Sequence, residues 1–152
     1  MVANVSVLEC AGALIFDPRG RLFVQRRSPD RSLFPNCWDI VGGHVEPGES
    51  PEQTLRREVI EETGWHVRTI HGVLDPIAWT GDDGKARLEY DFLVSVDGDL
   101  QNPALEVGKH TEWRWITAAE TPLLNQDRRY GDSLILELVL LGFAKAHELG
   151  LA

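Results

Sequence analysis

Cysteine is scarce here, with two in 152 residues, and Cys10 and Cys37 have neither metal-ligand spacing nor a disulfide-rich context. Reduced thiols in a cytoplasm are therefore the expectation. No run of about 18 apolar residues occurs, which argues against a membrane-spanning helix. Basic residues are outnumbered, 15 against 24 acidic, for a net charge of −9. That balance argues against long nucleic acid held on a basic face. Internal repeats, low-complexity tracts and linkers are missing too. The start, Met1 to Phe16, lacks a basic region and carries Asn4 and Glu9, so it reads as a strand rather than a signal peptide. An apolar content of 43% and a charged content of 26% fit a globular chain, and its length suits one domain, 1–152, with a sizeable core.

What is present is concentrated in residues 43–65, GHVEPGESPEQTLRREVIEETGW. Ser50 at the N-cap, Pro51 at the first helical position and Gln53 three residues after the cap predict a helix start. Glu49 and Glu52 suit the positive end of the macrodipole, and Gly64 suits a left-handed stop. Leu55 and Val59 give the helix an apolar stripe. Glu58, Glu61 and Glu62 fall at i, i+3 and i+4, on one helical face. Unpaired they repel one another. Two readings follow: a solvated face paired with Arg56 and Arg57, or a site for a hard divalent cation, which takes oxygen ligands together with waters and substrate phosphates. From Glu46 to Glu62 there are six Glu and two Arg, a net of −4. Bare, this surface repels phosphates; loaded with cations it attracts them.

Elsewhere the patterns predict strands over Val5–Phe16 and Arg21–Arg27, joined by the turn Asp17–Gly20, and a loop over Ser28–Asn36. Trp38–Val41 reads as one short strand, His66–Thr80 as one strand broken near Pro76, and Ala86–Val96 as an alternating strand. Asp97–His110 is a long polar loop and Glu112–Ile116 a short strand. Thr117–Leu124 reads as a small helix, and Asp132 or Ser133 opens a C-terminal helix to about Leu149. Strands interleaved with two substantial helices give an α/β domain.

Written as a spacing, Gly43 to Trp65 is G-x5-E-x7-R-E-V-x-E-E-x-G-W, and it resembles the Nudix box at every charged and glycine position. The final position, usually aliphatic, is Trp65, a packing site. The likeness covers 23 of 152 residues. It implies an α+β type of fold, an α/β/α sandwich with a mixed β-sheet between helices. It also implies a hydrolase of diphosphate linkages in nucleoside diphosphate derivatives, dependent on Mg²⁺ or Mn²⁺. Homodimers are frequent among such proteins. Under it, Glu58 and Glu62 are metal ligands, Glu61 joins them in some members, and the Gly43 carbonyl contributes. Glu58 is the favoured base and Glu61 belongs to the catalytic set. A glutamate from a distant loop takes the proton in some members; Glu106 and Glu112 are the candidates, and either could instead complete a metal's shell.

Arg57 is either an ordinary helical partner of Glu61 or the group that holds a catalytic glutamate in place. Arg26 or Arg27 is a candidate for the substrate phosphates, and His44 either donates to a phosphate or covers the glycine loop. Phe34 and Trp38 are candidates for stacking a nucleobase, the other tryptophans being assigned to the core. Two rival readings are a nucleotide sensor without turnover and an isopentenyl diphosphate isomerase-like enzyme. The isomerase needs a reactive cysteine where this chain has Gly42.

Overall fold

The structure, a computed structural model, describes residues 7–129 and 132–151. Its central strand, β1 (Leu8–Ile15), is buried on both faces. Ala11, Ala13 and Ile15 enter one core, and Leu14, with Phe16 just beyond the strand, enters the other. A strand covered on both sides reads as a near-continuous apolar run, as this one does. The strand expected over Val5–Phe16 thus begins at Leu8, with Val5 and Ser6 outside the described residues.

Two further strands flank β1. The parallel neighbour is the long Ala86–Asp97 strand and the antiparallel one is Val41–His44. In chain order the strands after β1 are β2 (Leu22–Arg27), β3 (Trp38–Asp39), β4 (Val41–His44), β5 (His66–Val73), β6 (Ile77–Thr80), β7 (Ala86–Asp97) and β8 (His110–Ile116). One mixed sheet runs β4-β1-β7-β5, with β6 also paired to β7; a separate antiparallel sheet runs β3-β2-β8. The mixed sheet agrees with expectation, but the sheet is divided in two. Trp38–Val41 is not one strand: it changes sheets at Ile40, whose N–H donates to Asp39 Oδ1 at 2.7 Å instead of to a ladder partner. The 66–80 segment is likewise two strands, both seated on the longer β7.

Helix α1 (Pro51–Thr63) begins and ends where its caps require. Ser50 Oγ accepts from Gln53 N, Ser50 N donates to Gln53 Oε1 at 2.8 Å, and Gly64 stops the helix at φ 76°, a left-handed value that costs glycine little. Leu55 and Val59 bury against Ala11, Ala13, Val41 and Val94. Helix α2 (Leu134–Glu148) covers the opposite face, with Leu138, Val139 and Phe143 packed among Leu14, Leu93 and Trp38. The segment expected as a small helix is a 3-10 helix, Ala118–Asn125.

Trp65 fills the packing role expected of it, stacked on Trp115 at 5.7 Å and edge-on to Phe23 at 4.9 Å. Trp38 is a core residue, 1% exposed, and the Arg114 guanidinium lies 5.1 Å from its ring centroid. It therefore has no free face for a base, which corrects the stacking role considered for it. The loop before it is pinned by three arginines. Arg26 Nε donates to Asn36 O at 2.9 Å, Arg27 Nε to Leu33 O at 2.8 Å, and Arg128 donates to Trp38 O while lying 5.6 Å from the Phe34 ring centroid. Phe34 and Asn36 both hold left-handed backbone, at φ 49° and 63°.

Candidate active site

Arg57 organises the acidic face of α1. Its Nε and Nη2 grip the two oxygens of Glu49 at 2.8 and 3.0 Å, Nη1 reaches Glu58 Oε1 at 2.8 Å and Glu61 Oε2 at 3.2 Å, and Nη2 also meets His44 O at 3.2 Å. Glu49 is fixed in turn by the Glu46 N–H and the Thr54 hydroxyl. The Arg57 guanidinium and then the Glu46 N–H hold the Glu49 carboxyl down at about 2, so this anchor stays ionised. Arg57 pairs with Glu61, as a helical partner would, and also grips Glu58. A planar fork suits this multiple hold; an ammonium does not. Arg57→Lys is expected to lower kcat about tenfold with little change in KM, measured by steady-state kinetics.

Glu62 lies deeper, 5% exposed. Its Oε2 accepts from Gly42 N at 2.8 Å and its Oε1 from Gln25 Nε2 at 3.1 Å. Burial, and then the Glu58 charge, push its carboxyl well above the usual range, and burial also raises Glu58 despite Arg57. His110 Nε2 stands 3.7 Å from Glu62 Oε1, but burial holds the imidazole near 3, so it is neutral and no ion pair forms. A buried acid beside a half-buried one, with Arg57 gripping only the latter, is electrostatically undercompensated. Hard oxygen donors in such a setting fit a divalent cation. Among the described residues, no three acidic, imidazole or thiol groups now stand close enough to enclose an ion. The cause is visible: Glu58 and Glu61 are drawn onto Arg57, and Glu62 onto the Gly42 N–H.

The glycine loop meets this face with no room to spare. A Cβ on Gly43 would collide with the Glu58 carboxylate, whereas a Cβ on Gly42 would lie 2.5 Å from Ala11 O. The cysteine required by an isomerase-like reading therefore has no space at Gly42. The same contrast separates two variants. Gly42→Ala presses on backbone and is expected to lose about 1–3 kcal/mol of stability, read from urea unfolding. Gly43→Ala presses only on the end of a flexible side chain. It is expected to unfold at nearly the wild-type urea concentration while kcat falls at least about tenfold, because Glu58 is displaced.

A recess lined by Gly42, Gly43, Glu58, Glu62, Glu106 and Lys109 runs along this face. Glu106, ion-paired to Lys109 at 2.8 Å, is thus brought to the carboxylates. Glu112 is not. It sits on β8 directly opposite Arg26 of β2 and pairs with it at 2.9 Å, and Asp127 takes the same arginine. Strand alternation explains this, since Gln25 faces Glu62 and its neighbour Arg26 faces away. Arg27 lines an adjoining cavity together with Arg31, Phe34, Asp39, Trp79 and Glu89. His44 belongs to both hollows; its ring Nε2 faces Arg87 Nε at 3.4 Å and is kept neutral by burial first and Arg87 second. Cys10 also lines the cavity, its thiol pushed up to about 12 by burial and then by Glu89, so it is no nucleophile.

Sequence reasoning missed Gln25 and Arg31. Gln25 left one signal, a polar residue directly after Leu22-Phe23-Val24. Arg31, in an irregular loop, left none.

The sequence profile of the NUDIX domain matches residues 8–137. A Nudix hydrolase of Deinococcus radiodurans is 40% identical over 68 residues, 44% of this chain but 36% of that protein, so the aligned segment spans little more than a third of that relative. An RNA pyrophosphohydrolase of Afipia carboxidovorans is 25% identical across 76% of this chain and 80% of its own. Among solved structures, the MutT protein of Methanosarcina mazei Go1 superposes with a TM-score of 0.72 at 22% identity, covering 97% of this chain and 99% of that one. The MutT NUDIX hydrolase of Burkholderia pseudomallei does so with 0.71 at 23% identity, covering 88% and 98%. At these identities the structural likeness establishes the fold alone.

Proposed function

The chain belongs to the Nudix hydrolase family, and from that premise we propose that it is a metal-dependent pyrophosphohydrolase cleaving a diphosphate linkage in a nucleoside diphosphate derivative. One observation carries this reading. The acidic recess and the aromatic-walled cavity share Arg31, Gly42, Gly43, His44 and Glu62. A single elongated ligand with a charged end and a planar end can therefore occupy both.

Glu58 and Glu62, with Glu61 and the Gly43 carbonyl, would hold Mg²⁺ or Mn²⁺. When bound, such an ion offsets the charge that builds on the phosphoryl oxygens. The chain's own residues do the rest. Arg57, anchored on Glu49, holds Glu58 beside the glycine loop. The Gly42 N–H and Gln25 fix Glu62. Arg31, lining both hollows, is placed to meet the phosphates. Water adds to one phosphorus, the bridging P–O bond breaks, and Glu58 takes the proton. Glu106, on the same recess, is the other group within the site that could accept it.

Some relatives are named RNA pyrophosphohydrolase and another nucleoside triphosphatase. The net charge of −9 favours a small nucleotide over a long RNA. A panel of nucleoside triphosphates, nucleotide sugars, dinucleoside polyphosphates and one 5′-triphosphorylated RNA, with and without Mg²⁺, tests the reading. The expected result is Mg²⁺-dependent release of a nucleoside monophosphate, identified by product mass. Tight nucleotide binding without turnover would replace the enzyme with a sensor.

A further inference from the structure

The cavity beside the acidic face has a floor that catalysis at α1 does not use. It measures about 170 Å³ and is walled by Leu33, Phe34, Ile40 and Trp79. The Phe34 and Trp79 rings stand 6.1 Å apart, tilted by 49°. On the floor, Glu89 faces the cavity from β7, and Asp91 lies behind it, 1% exposed. Asp91 fills the space above Gly12, where a Cβ would run into its Oδ1, and Gly12 itself lines the cavity. No N–H or O–H of the described residues reaches either Asp91 oxygen, and Trp79 Nε1 is also buried without a hydrogen-bond partner.

A buried carboxylate without a donor is costly. Two ionised carboxylates cannot hydrogen-bond each other; one proton between them can. Burial, followed by the Glu89 charge, keeps the proton on Asp91. Burial raises the Glu89 carboxyl as well, and the Asp91 proton, donated to Glu89, opposes that rise and favours the charged form there. Among the described residues no arginine or lysine is ion-paired to Glu89. Arg87 is committed to Asp83 at 2.8 Å, and Arg27 to Leu33 O and Asp39. An acceptor-only group thus waits at the end of an aromatic slot.

We propose that this cavity is the base-recognition pocket, and that Glu89 selects a heterocycle presenting adjacent N–H donors, as on the edge of a guanine-type purine. Asp91 is a positioning residue that acts through Glu89. The inference rests on the nucleotide reading above and deepens it. A uracil edge, with one N–H between two carbonyls, would set an acceptor against Glu89. Sites built to receive hydrogen-bond donors reject ligands that leave them unpaired.

The test compares GTP with UTP as Mg²⁺ substrates, and GMP with UMP in metal-free calorimetry, for the wild type, Glu89→Gln and Asp91→Asn. The wild type is expected to favour guanosine by about tenfold to a hundredfold, carried in KM and in the affinity for GMP. Glu89→Gln puts an N–H where an acceptor is needed and abolishes that preference. Asp91→Asn raises KM for GTP without lowering kcat and leaves UTP unmoved; a merely structural loss would affect both substrates alike. Hydrolysis without base preference, or a preference that survives Glu89→Gln, overturns this inference while leaving the proposed activity standing. No hydrolysis of any member of the wider panel but Glu89-dependent binding of GMP supports the pocket and overturns the activity. Neither hydrolysis of any panel member nor discrimination in binding overturns both.

Discussion

Glu58→Gln lowers kcat by at least about a hundredfold, roughly 2.7 kcal/mol of lost transition-state stabilisation, on whichever diphosphate the panel identifies. The change keeps the shape of the side chain and leaves an amide oxygen for Arg57 Nη1, which now meets Glu58 Oε1 at 2.8 Å. What disappears is a charge and a proton acceptor at the edge of the glycine loop. Stability moves the other way or not at all, because burial disfavours the ionised carboxylate and the neutral amide escapes that penalty. Turnover measured beside the thermal midpoint separates the two effects. Near-normal turnover in a folded Glu58→Gln protein would remove Glu58 from catalysis, and Glu106 would be the next residue to replace.

Trp38→Ala destabilises the fold by about 3–5 kcal/mol, the range for emptying a buried aromatic site. The ring is sealed among core residues that include Ile40, Leu124 and Leu138, beneath the Arg114 guanidinium, and that setting leaves neighbours little freedom to close the gap. The urea midpoint should fall sharply with the slope unchanged. Phe34→Ala supplies the contrast. Its ring lines the cavity, so stability should stay within about 1 kcal/mol while KM rises. If Trp38→Ala kept its stability and raised KM instead, the ring would be touching the ligand after all.

These two residues also mark what could be read from the chain alone. Around Glu58 the sequence was nearly sufficient, because cap, stop and carboxylate spacing are local properties of one helix. The roles of Trp38 and Glu112 depend on which sheet a two-residue strand joins and on which face of β8 a side chain occupies, and neither is encoded nearby. In β7 the local pattern misleads. Leu88, Tyr90 and Phe92 alternate with Arg87, Glu89 and Asp91, yet Arg87 and Asp91 are the buried members while Leu88 and Tyr90 are half-exposed. Alternation announces two unlike faces but does not say which one another layer will cover. Arg87 is enclosed by Asp83, Trp79 and His44, and Ile40 meets Asp91 over Gly12.

The loop before β3 has one more consequence. Its path over Phe34 and Asn36 runs through unfavourable backbone angles, two arginines of β2 bind its carbonyls, and Arg128 lies over the Phe34 ring. Such a wall is set before any visitor arrives, so docking against it surrenders little chain entropy. Association should behave as lock-and-key, with a rate constant insensitive to solvent viscosity below the diffusion limit and no slow phase that follows first contact.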